Sequence, residues 1–301
     1  MPSSPSLADA PARVVSGHGR HVVVETVDGK RILCHSRGKK STLVVGDLVH
    51  WTPTGDEGVV ESALPRRNLL HRQDEWKTKE FAANIDQLLV VVAAEPVFSE
   101  SQLARALIGA NAAGIGAKIV LNKRDLPAFA AAEARLAAYA RMGLSIIAVA
   151  LKNEPDASRA VLAPVLDAKA TLVLGPSGAG KSTLVNLMVA DAGAQVGEIS
   201  QALNSGRHTT TATHWYWLDA ARTSALIDSP GFQEFGLRQI GPDQLAGLMP
   251  DIGRHAECRF YNCTHLHEPG CGVLAALRRG EVAESRYRIY AEIHAELGAR
   301  A

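Results

Sequence analysis

The stretch "ATLVLGPSGAGKST", Ala170 to Thr183, restricts the fold of this chain more than any other. Five apolar residues of strand character run into a glycine-rich turn of the form G-x-x-x-x-G-K-S, and the amphipathic "KSTLVNLMVA" follows as a helix. Glycines let successive backbone N–H groups turn inward around phosphate oxygens, and the helix N-terminus adds its dipole. Lys181 supplies a point positive charge, and Ser182 is placed to ligate Mg²⁺ with Thr183 beside it. Gly175, Pro176, Ser177, Gly178, Ala179, Gly180, Lys181, Ser182 and Thr183 are therefore candidate phosphate-binding residues. The bland reading, a glycine-rich turn alone, explains neither the lysine nor the context.

That unit requires neighbours, and the sequence before it supplies them. "IDQLLVVVAAEP" is a continuous apolar run, as in a strand buried on both faces. Helix-like "SESQLARALIGANAAG", strand "AKIVLN", helix "PAFAAAEARLAAYARMG", strand "LSIIAVA" and helix "PDASRAVLAPVLDA" follow in turn. Such alternation predicts βα units and a parallel sheet covered on both faces. Ligands of such sheets bind at the carboxyl ends of strands.

At one of those ends stands "NKRD": Asn122, Lys123, Arg124 and Asp125. Asp125 can accept hydrogen bonds from guanine N1–H and the 2-amino group, Lys123 can lie along the base, and Asn122 can brace the loop. Adenine offers no such donors, and each charged hydrogen bond lost costs roughly 1.5–3 kcal/mol. The other reading is a charged surface turn. In ordinary GTP-binding domains this signature follows the phosphate loop, whereas here it precedes it.

Beyond the phosphate loop, "NSGRHTTTATHWYWL" and "TSALIDSPGF" complete the set. Asp228 and Gly231 fit D-x-x-G after an apolar strand, the first near Mg²⁺ and the second near the γ-phosphate. Within Thr209, Thr210 and Thr211, Thr210 is the expected Mg²⁺ ligand. Phe232 occupies the place where a small GTPase carries its water-orienting glutamine, and a phenyl ring cannot orient water. His208 is the candidate catalytic replacement; its alternatives are a solvated loop histidine or an RNA contact.

From Arg13 to Arg72 the pattern is different: short β-rich runs at about ten-residue spacing, with the D-G hairpin signal "VDGK". A small β-barrel of the oligonucleotide-binding (OB) type fits. Lys30, Arg31, Arg37, Lys39 and Lys40 occur with no acid between them, and "RRNLLHR" adds Arg66, Arg67, His71 and Arg72. These clusters read either as solvated loops or as phosphate contacts with RNA. Net charge is only +1, so nucleic-acid contact must come from such local patches. "DEWKTKEFAAN" reads as a polar linker to the α/β region. No apolar run is long enough to span a bilayer, and "MPSSPSLADAPAR" reads as a disordered lead-in with no secretory pattern.

Near the end, "CRFYNCTHLHEPGC" spaces Cys258, Cys263, His265 and Cys271 as C-x4-C-x-H-x5-C. Thiolates and an imidazole suit tetrahedral Zn²⁺, and four protein ligands make a closed, structural site. Reduced cysteines in a small core are the alternative. Beyond Gly280 and before it lie two helical pieces carrying Arg278, Arg279, Arg286 and Arg288, read as a solvated face or an RNA contact.

"NKRD" ahead of "GPSGAGKSTLVN", then "GRHTTT", "DSPGF" and the Cys/His cluster, with "RGKK…VGDLVHW" near the start, resemble the circularly permuted, ribosome small-subunit-dependent GTPases of the RsgA (YjeQ) family. The resemblance implies an α/β fold: a circularly permuted P-loop GTPase domain with an N-terminal OB-type β-barrel and a C-terminal zinc-binding helical domain. On this chain the expected extents are residues 1–12 lead-in, 13–75 barrel, 76–238 GTPase domain and 239–301 zinc domain with C-terminal helices. It implies hydrolysis of GTP to GDP and phosphate, stimulated by the small ribosomal subunit late in its maturation and coupled to release. Implied partners are the subunit with its rRNA and GTP or GDP; implied cofactors are one structural Zn²⁺ and Mg²⁺ with GTP. A cytoplasmic monomer without membrane contact is expected. Two positions depart from the pattern. The family's Ser-Ala-type loop that backs the base reads "ALKNEP", leaving the amides of Ala150, Leu151 and Lys152 but no hydroxyl, and the D-T-P-G threonine is Ser229. The rival readings are an ATP-dependent P-loop enzyme and a non-catalytic RNA-binding scaffold that holds GTP.

Overall fold

The computed structural model describes residues 10–18, 21–37, 43–73, 78–189, 213–229 and 237–299. His208, Thr209, Thr210, Thr211, Gly231, Phe232, Lys39 and Lys40 lie outside the described residues.

Five strands build the N-terminal barrel: β1 (Ala12–His18), β2 (His21–Glu25), β3 (Arg31–Ser36), β4 (Leu48–Thr54) and β5 (Glu57–Ala63). Their order is β1-β2-β3-β5-β4, and β4 pairs back with β1, so the sheet closes. Closure leaves an interior that alternate residues fill. Val14, Val22, Val24, Ile32, Cys34, Val49, Trp51 and Val60 form that core. The D-G signal lies in the β2–β3 connection, where Gly29 takes φ +88° and its amide donates to the Thr26 carbonyl at 2.8 Å.

The described part of the stretch expected as a polar linker contains a strand of a hairpin. β6 (Leu69–Gln73) pairs antiparallel with β7 (Thr78–Ala83), so the boundary expected between residues 75 and 76 falls between two paired strands. Its charged residues hide a short apolar end: Leu70, Phe81 and Ala82 are buried in one core with Val15 and Val23 of the barrel and Leu88 of the next strand. The arginines read there as possible RNA contacts are also engaged. Arg66 donates to both oxygens of fully buried Asp47, at 2.7 and 2.8 Å, and to Glu80 at 2.7 Å. Arg67 pairs with Asp86 at 2.8 Å and donates to the Asn84 carbonyl. Arg66, so held, supports the turn into the next domain, whereas the Arg67 side chain stays mostly exposed.

The α/β domain follows as β8 (Gln87–Ala93), α1 (Glu100–Ala112), β9 (Gly116–Asn122), α2 (Phe129–Arg141), β10 (Ile146–Ala148), α3 (Pro155–Leu166), β11 (Ala170–Leu174), α4 (Lys181–Met188), β12 (His214–Trp217) and β13 (Ala225–Asp228). Strand order is β10-β9-β8-β11-β13-β12, parallel except for β12. β8 shows why its sequence is continuously apolar: Leu88, Val90 and Val92 pack with α1 and α2, while Leu89, Val91 and Ala93 pack with α3 and α4. A period of two with both faces buried yields an unbroken hydrophobic run.

Barrel and α/β sheet are joined edge to edge. Ser16 of β1 pairs with His214 of β12, making one eleven-stranded sheet. At that seam the Arg13 guanidinium lies 4.5 Å from the Trp215 ring centroid, and Trp217 Nε1–H donates to Glu25 at 2.5 Å.

Short helices α5 (Leu245–Leu248) and α6 (Pro250–Gly253) and longer α7 (Gly272–Arg278) and α8 (Glu284–Gly298) complete the described chain. The break between α7 and α8 contains Gly280 at φ +73°. Their core, including Met249, Ile252, Val273, Ile289 and Ile293, closes over Ala104 and Ile108 on the outer side of α1. Arg286, read as a solvated or RNA-facing residue, is 1% exposed. It donates to both oxygens of Asp251, at 2.7 and 3.1 Å, and stacks over Tyr139 of α2. Arg279 pairs with Glu281, whereas Arg278 and Arg288 are exposed.

Candidate functional site

Chain direction across the sheet reverses at β8. The chain steps from β8 to β9 to β10, and α3 then carries it back past β8 to β11. Reversal leaves a crevice at the carboxyl ends of the central strands, the usual ligand position in such sheets. β9 ends in Asn122 and β11 runs into Gly175, so both sequence motifs open into that crevice.

A cleft of about 910 Å³ occupies it. Asn122, Lys123 and Asp125 line one end; Gly175, Pro176, Ser177, Gly178, Gly180, Lys181, Ser182 and Thr183 line the other. Leu126, Leu151, Lys152, Asn153 and Gln102 complete the wall. Arg124 turns away to pair with Glu154, and Ala179 is buried behind the loop.

The two motifs touch. Asn122, 4% exposed, donates from Nδ2 to the Ala179 carbonyl at 2.9 Å and accepts at Oδ1 from the Leu151 amide at 3.1 Å. One amide side chain thus pins three loops. Two glycines owe their identity to this closeness. A Cβ on Gly180, whose φ is +103°, would lie 2.2 Å from Asn122 Nδ2, and one on Gly175 would lie 2.3 Å from the Val91 carbonyl. Neither position admits a side chain without displacing a strand or a motif residue.

Gly180 also ends the loop as the cap of α4 without a side-chain hydrogen bond to the first turn. Free N–H groups at a helix start attract anions. Lys181 Nζ stands 2.7 Å from Asp228 Oδ1, both largely shielded from water. This brings the end of β13 to Lys181 at the start of α4. Lys123 takes φ +65°, and its ammonium donates to the Glu95 carbonyl. Gln102 and Asn153 belong to no contiguous signature, so residue order alone does not mark them as cleft residues.

A second polar cluster lies in the C-terminal domain. Ligand atoms of Cys258, Cys263, His265 and Cys271 all fall within 4.8 Å of one another. Cys258 Sγ is 3.8 Å from Cys271 Sγ and 3.3 Å from His265 Nδ1, and Cys271 Sγ is 3.5 Å from that nitrogen. A tetrahedral zinc with Zn–S of about 2.3 Å and Zn–N of about 2.0 Å spaces its ligands about 3.5–3.8 Å apart. The residues therefore fit a metal ion. Backbone amides of Gly272 and Leu274 point at Cys258 and Cys271 sulfurs, at 3.4 and 3.5 Å, which suits thiolates. Burial holds His265 below the ordinary histidine range, favouring the neutral imidazole that ligates metals.

Around it, Tyr290 and Tyr287 of α8 donate to the Thr264 and His265 carbonyls, each at 2.9 Å. The Glu268 carboxylate collects Thr264 N and Oγ1, Leu266 N and His267 N. Burial opposes its ionisation, but these hydrogen bonds hold it well below the usual carboxylate range. His267 and His255 lie outside the cluster. Among the described residues, no helix is long and apolar enough to cross a membrane.

Comparison with known proteins agrees with this architecture over nearly the whole length. The model of the RsgA GTPase family matches residues 63–238. A protein of Variovorax paradoxus named small ribosomal subunit biogenesis GTPase RsgA is 60% identical over 290 residues, covering 94% of this chain and 91% of the relative. Its namesake from Burkholderia pseudomallei is 51% identical over 288 residues, with the same coverages. Among solved structures, YjeQ from Thermotoga maritima superposes with a TM-score of 0.73 at 31% identity, covering 97% of this chain and 99% of that one. YloQ, described as a circularly permuted GTPase, gives 0.71 at 26% identity, with 97% and 96% covered. In this chain the N-K-R-D signature follows a strand that precedes the glycine-rich turn in sequence, yet both open on the same cleft. By this descent and this topology, the chain belongs to the RsgA GTPase family.

Proposed function

We propose that the chain hydrolyses GTP during biogenesis of the small ribosomal subunit, and that subunit binding stimulates the reaction. One observation carries the reading: the hydrogen bond from Asn122 to the Ala179 carbonyl, which joins the base-reading and phosphate-reading loops across one cleft. Asp125 reads guanine, with Asn122, Lys123 and Arg124 supporting the base loop. Gly175 to Gly180, Lys181, Ser182 and Thr183 receive the phosphates. Lys181, held at Asp228, lies ready to exchange that carboxylate for a phosphate oxygen. Ser182 and Thr210 would ligate Mg²⁺, with Asp228 close by and Gly231 at the γ-phosphate. Mg²⁺ when bound supplies charge neutralisation on the phosphates. His208 orients the attacking water in place of a glutamine.

Cys258, Cys263, His265 and Cys271 would hold one structural Zn²⁺. Phe260 and fully exposed Tyr261, between the first two cysteines, present aromatic surface outward. They and the barrel would each meet the subunit and its rRNA, where exposed rings stack on unpaired bases. The protein acts as a cytoplasmic monomer.

Turnover of GTP measured with and without purified small subunits tests this. Slow hydrolysis alone, a large stimulation by subunits and no competition by ATP are expected. Equal rates with and without subunits, or equal competition by ATP, would overturn it.

A further inference from the structure

The segment from Val149 to Glu154 lies alongside N-K-R-D, and contacts at several positions join the two. Asn122 Oδ1 accepts from the Leu151 amide at 3.1 Å, the Arg124 amide donates to the Val149 carbonyl at 2.9 Å, and Arg124 pairs with Glu154. These contacts set the two segments side by side. A further contact does something different: Asn153 Nδ2 donates to Asp125 Oδ2 at 2.6 Å. It acts on the carboxylate that faces the cleft.

Torsion about the bond to a carboxylate is broad, so an exposed aspartate samples many planes. Recognition of a base edge through two donors needs one plane, with each oxygen opposite one donor. An ionised carboxylate offers about four lone-pair sites. Two would serve guanine N1–H and the 2-amino group, and Asn153 takes one of the others. Alanine at 150 and leucine at 151 offer no side-chain donor, and Lys152 would bring a full charge that competes for the oxygens. A neutral amide orients the carboxylate and leaves its charge for the base.

We infer that Asn153 is a positioning residue for guanine selection, fixing the plane of the Asp125 carboxylate so that both oxygens meet the base edge. The inference rests on the reading of Asp125 as the base reader, and it assigns to this loop a donor that residues 150–152 lack.

Affinities for GDP, for inosine diphosphate, which has no 2-amino group, and for ADP can be measured by displacement of a fluorescent guanine nucleotide. Asn153→Ala should weaken GDP by about five- to tenfold, because the Asp125 carboxylate is then free to leave the plane of the base, and inosine diphosphate by less. Asn153→Asp, isosteric but facing Asp125 with like charge, should lose more than the alanine variant. In an Asp125→Ala background, Asn153→Ala should have no further effect. Equal losses for the two diphosphates, or the same loss with Asp125 absent, would assign Asn153 a purely structural role and overturn the inference. Wild-type protein that binds ADP as well as GDP would overturn the base-reading role of Asp125 itself. Wild-type protein that prefers GDP, beside an Asn153→Ala variant that is unaltered, would overturn only the role of Asn153.

Discussion

The nucleotide cleft sets Lys123 and Asp125 on the loop after a strand end, tied to the Glu95 carbonyl and the Asn153 amide, with apolar cores on both sides of the sheet beneath. The Cys258–Cys271 cluster is the reverse. Three thiols and an imidazole crowd within 4.8 Å, while the larger apolar side chains of the segment, Phe260 and Tyr261, point outward. The cleft therefore owes its shape to hydrophobic burial elsewhere. The cluster buries Cys271 and His265 and packs Leu266 against the C-terminal helices, but its thiols and imidazole are brought together for what binds them. The same contrast separates a site organised before its ligand arrives from one organised by its ligand.

Removal of metal is the harshest test of that contrast. Chelation should unfold the segment from Cys258 to Cys271, because metal binding supplies of order 10 kcal/mol to such sites. Hydrogen exchange should report lost protection there while GDP affinity holds; parallel loss of GDP binding would break the contrast. A smaller effect is expected at the joint between the two regions. Arg286→Ala leaves Asp251 without its partner and strips the cation from Tyr139, which should cost about 3–5 kcal/mol. Denaturant unfolding should then show two transitions in place of one, since Tyr139 belongs to the α/β domain and Asp251 to the C-terminal helices. A single, unshifted transition would show that the apolar contact with α1 suffices.

The smallest expected effect on stability is Gly180→Ala. Backbone at φ +103° is unfavourable to alanine by about 1–3 kcal/mol, and the added Cβ meets Asn122. Melting should shift modestly while GDP affinity falls at least tenfold. Unchanged affinity would show that the loops are less tightly joined than Asn122 implies.

How far the sequence was legible follows from how local each feature is. The phosphate loop, N-K-R-D and the cysteine spacing each act through a few consecutive residues, so residue type and order suffice. β8 was legible because burial on both faces leaves an unbroken apolar run. Charged residues were not. Arg66 and Arg286 look like surface cations in sequence, but Asp47 and Asp251, which bury and neutralise them, lie elsewhere in the chain. The β7 strand was hidden for a similar reason: its apolar end is short, and its burial comes from the barrel and β8 rather than from its own alternation. Asn153 belongs to no signature; its neighbour Asp125 is supplied by an adjacent strand end.

By itself, then, the sequence determined the chemistry available: a loop for phosphates, a carboxylate for a base edge, a donor set for a metal. Only the tertiary structure decided which charges remain free and which groups meet. The permuted motif order shows why. Strand pairing depends on burial and hydrogen bonds between neighbours in space, not on where the chain begins, so β9 and β11 can open on one cleft whichever comes first.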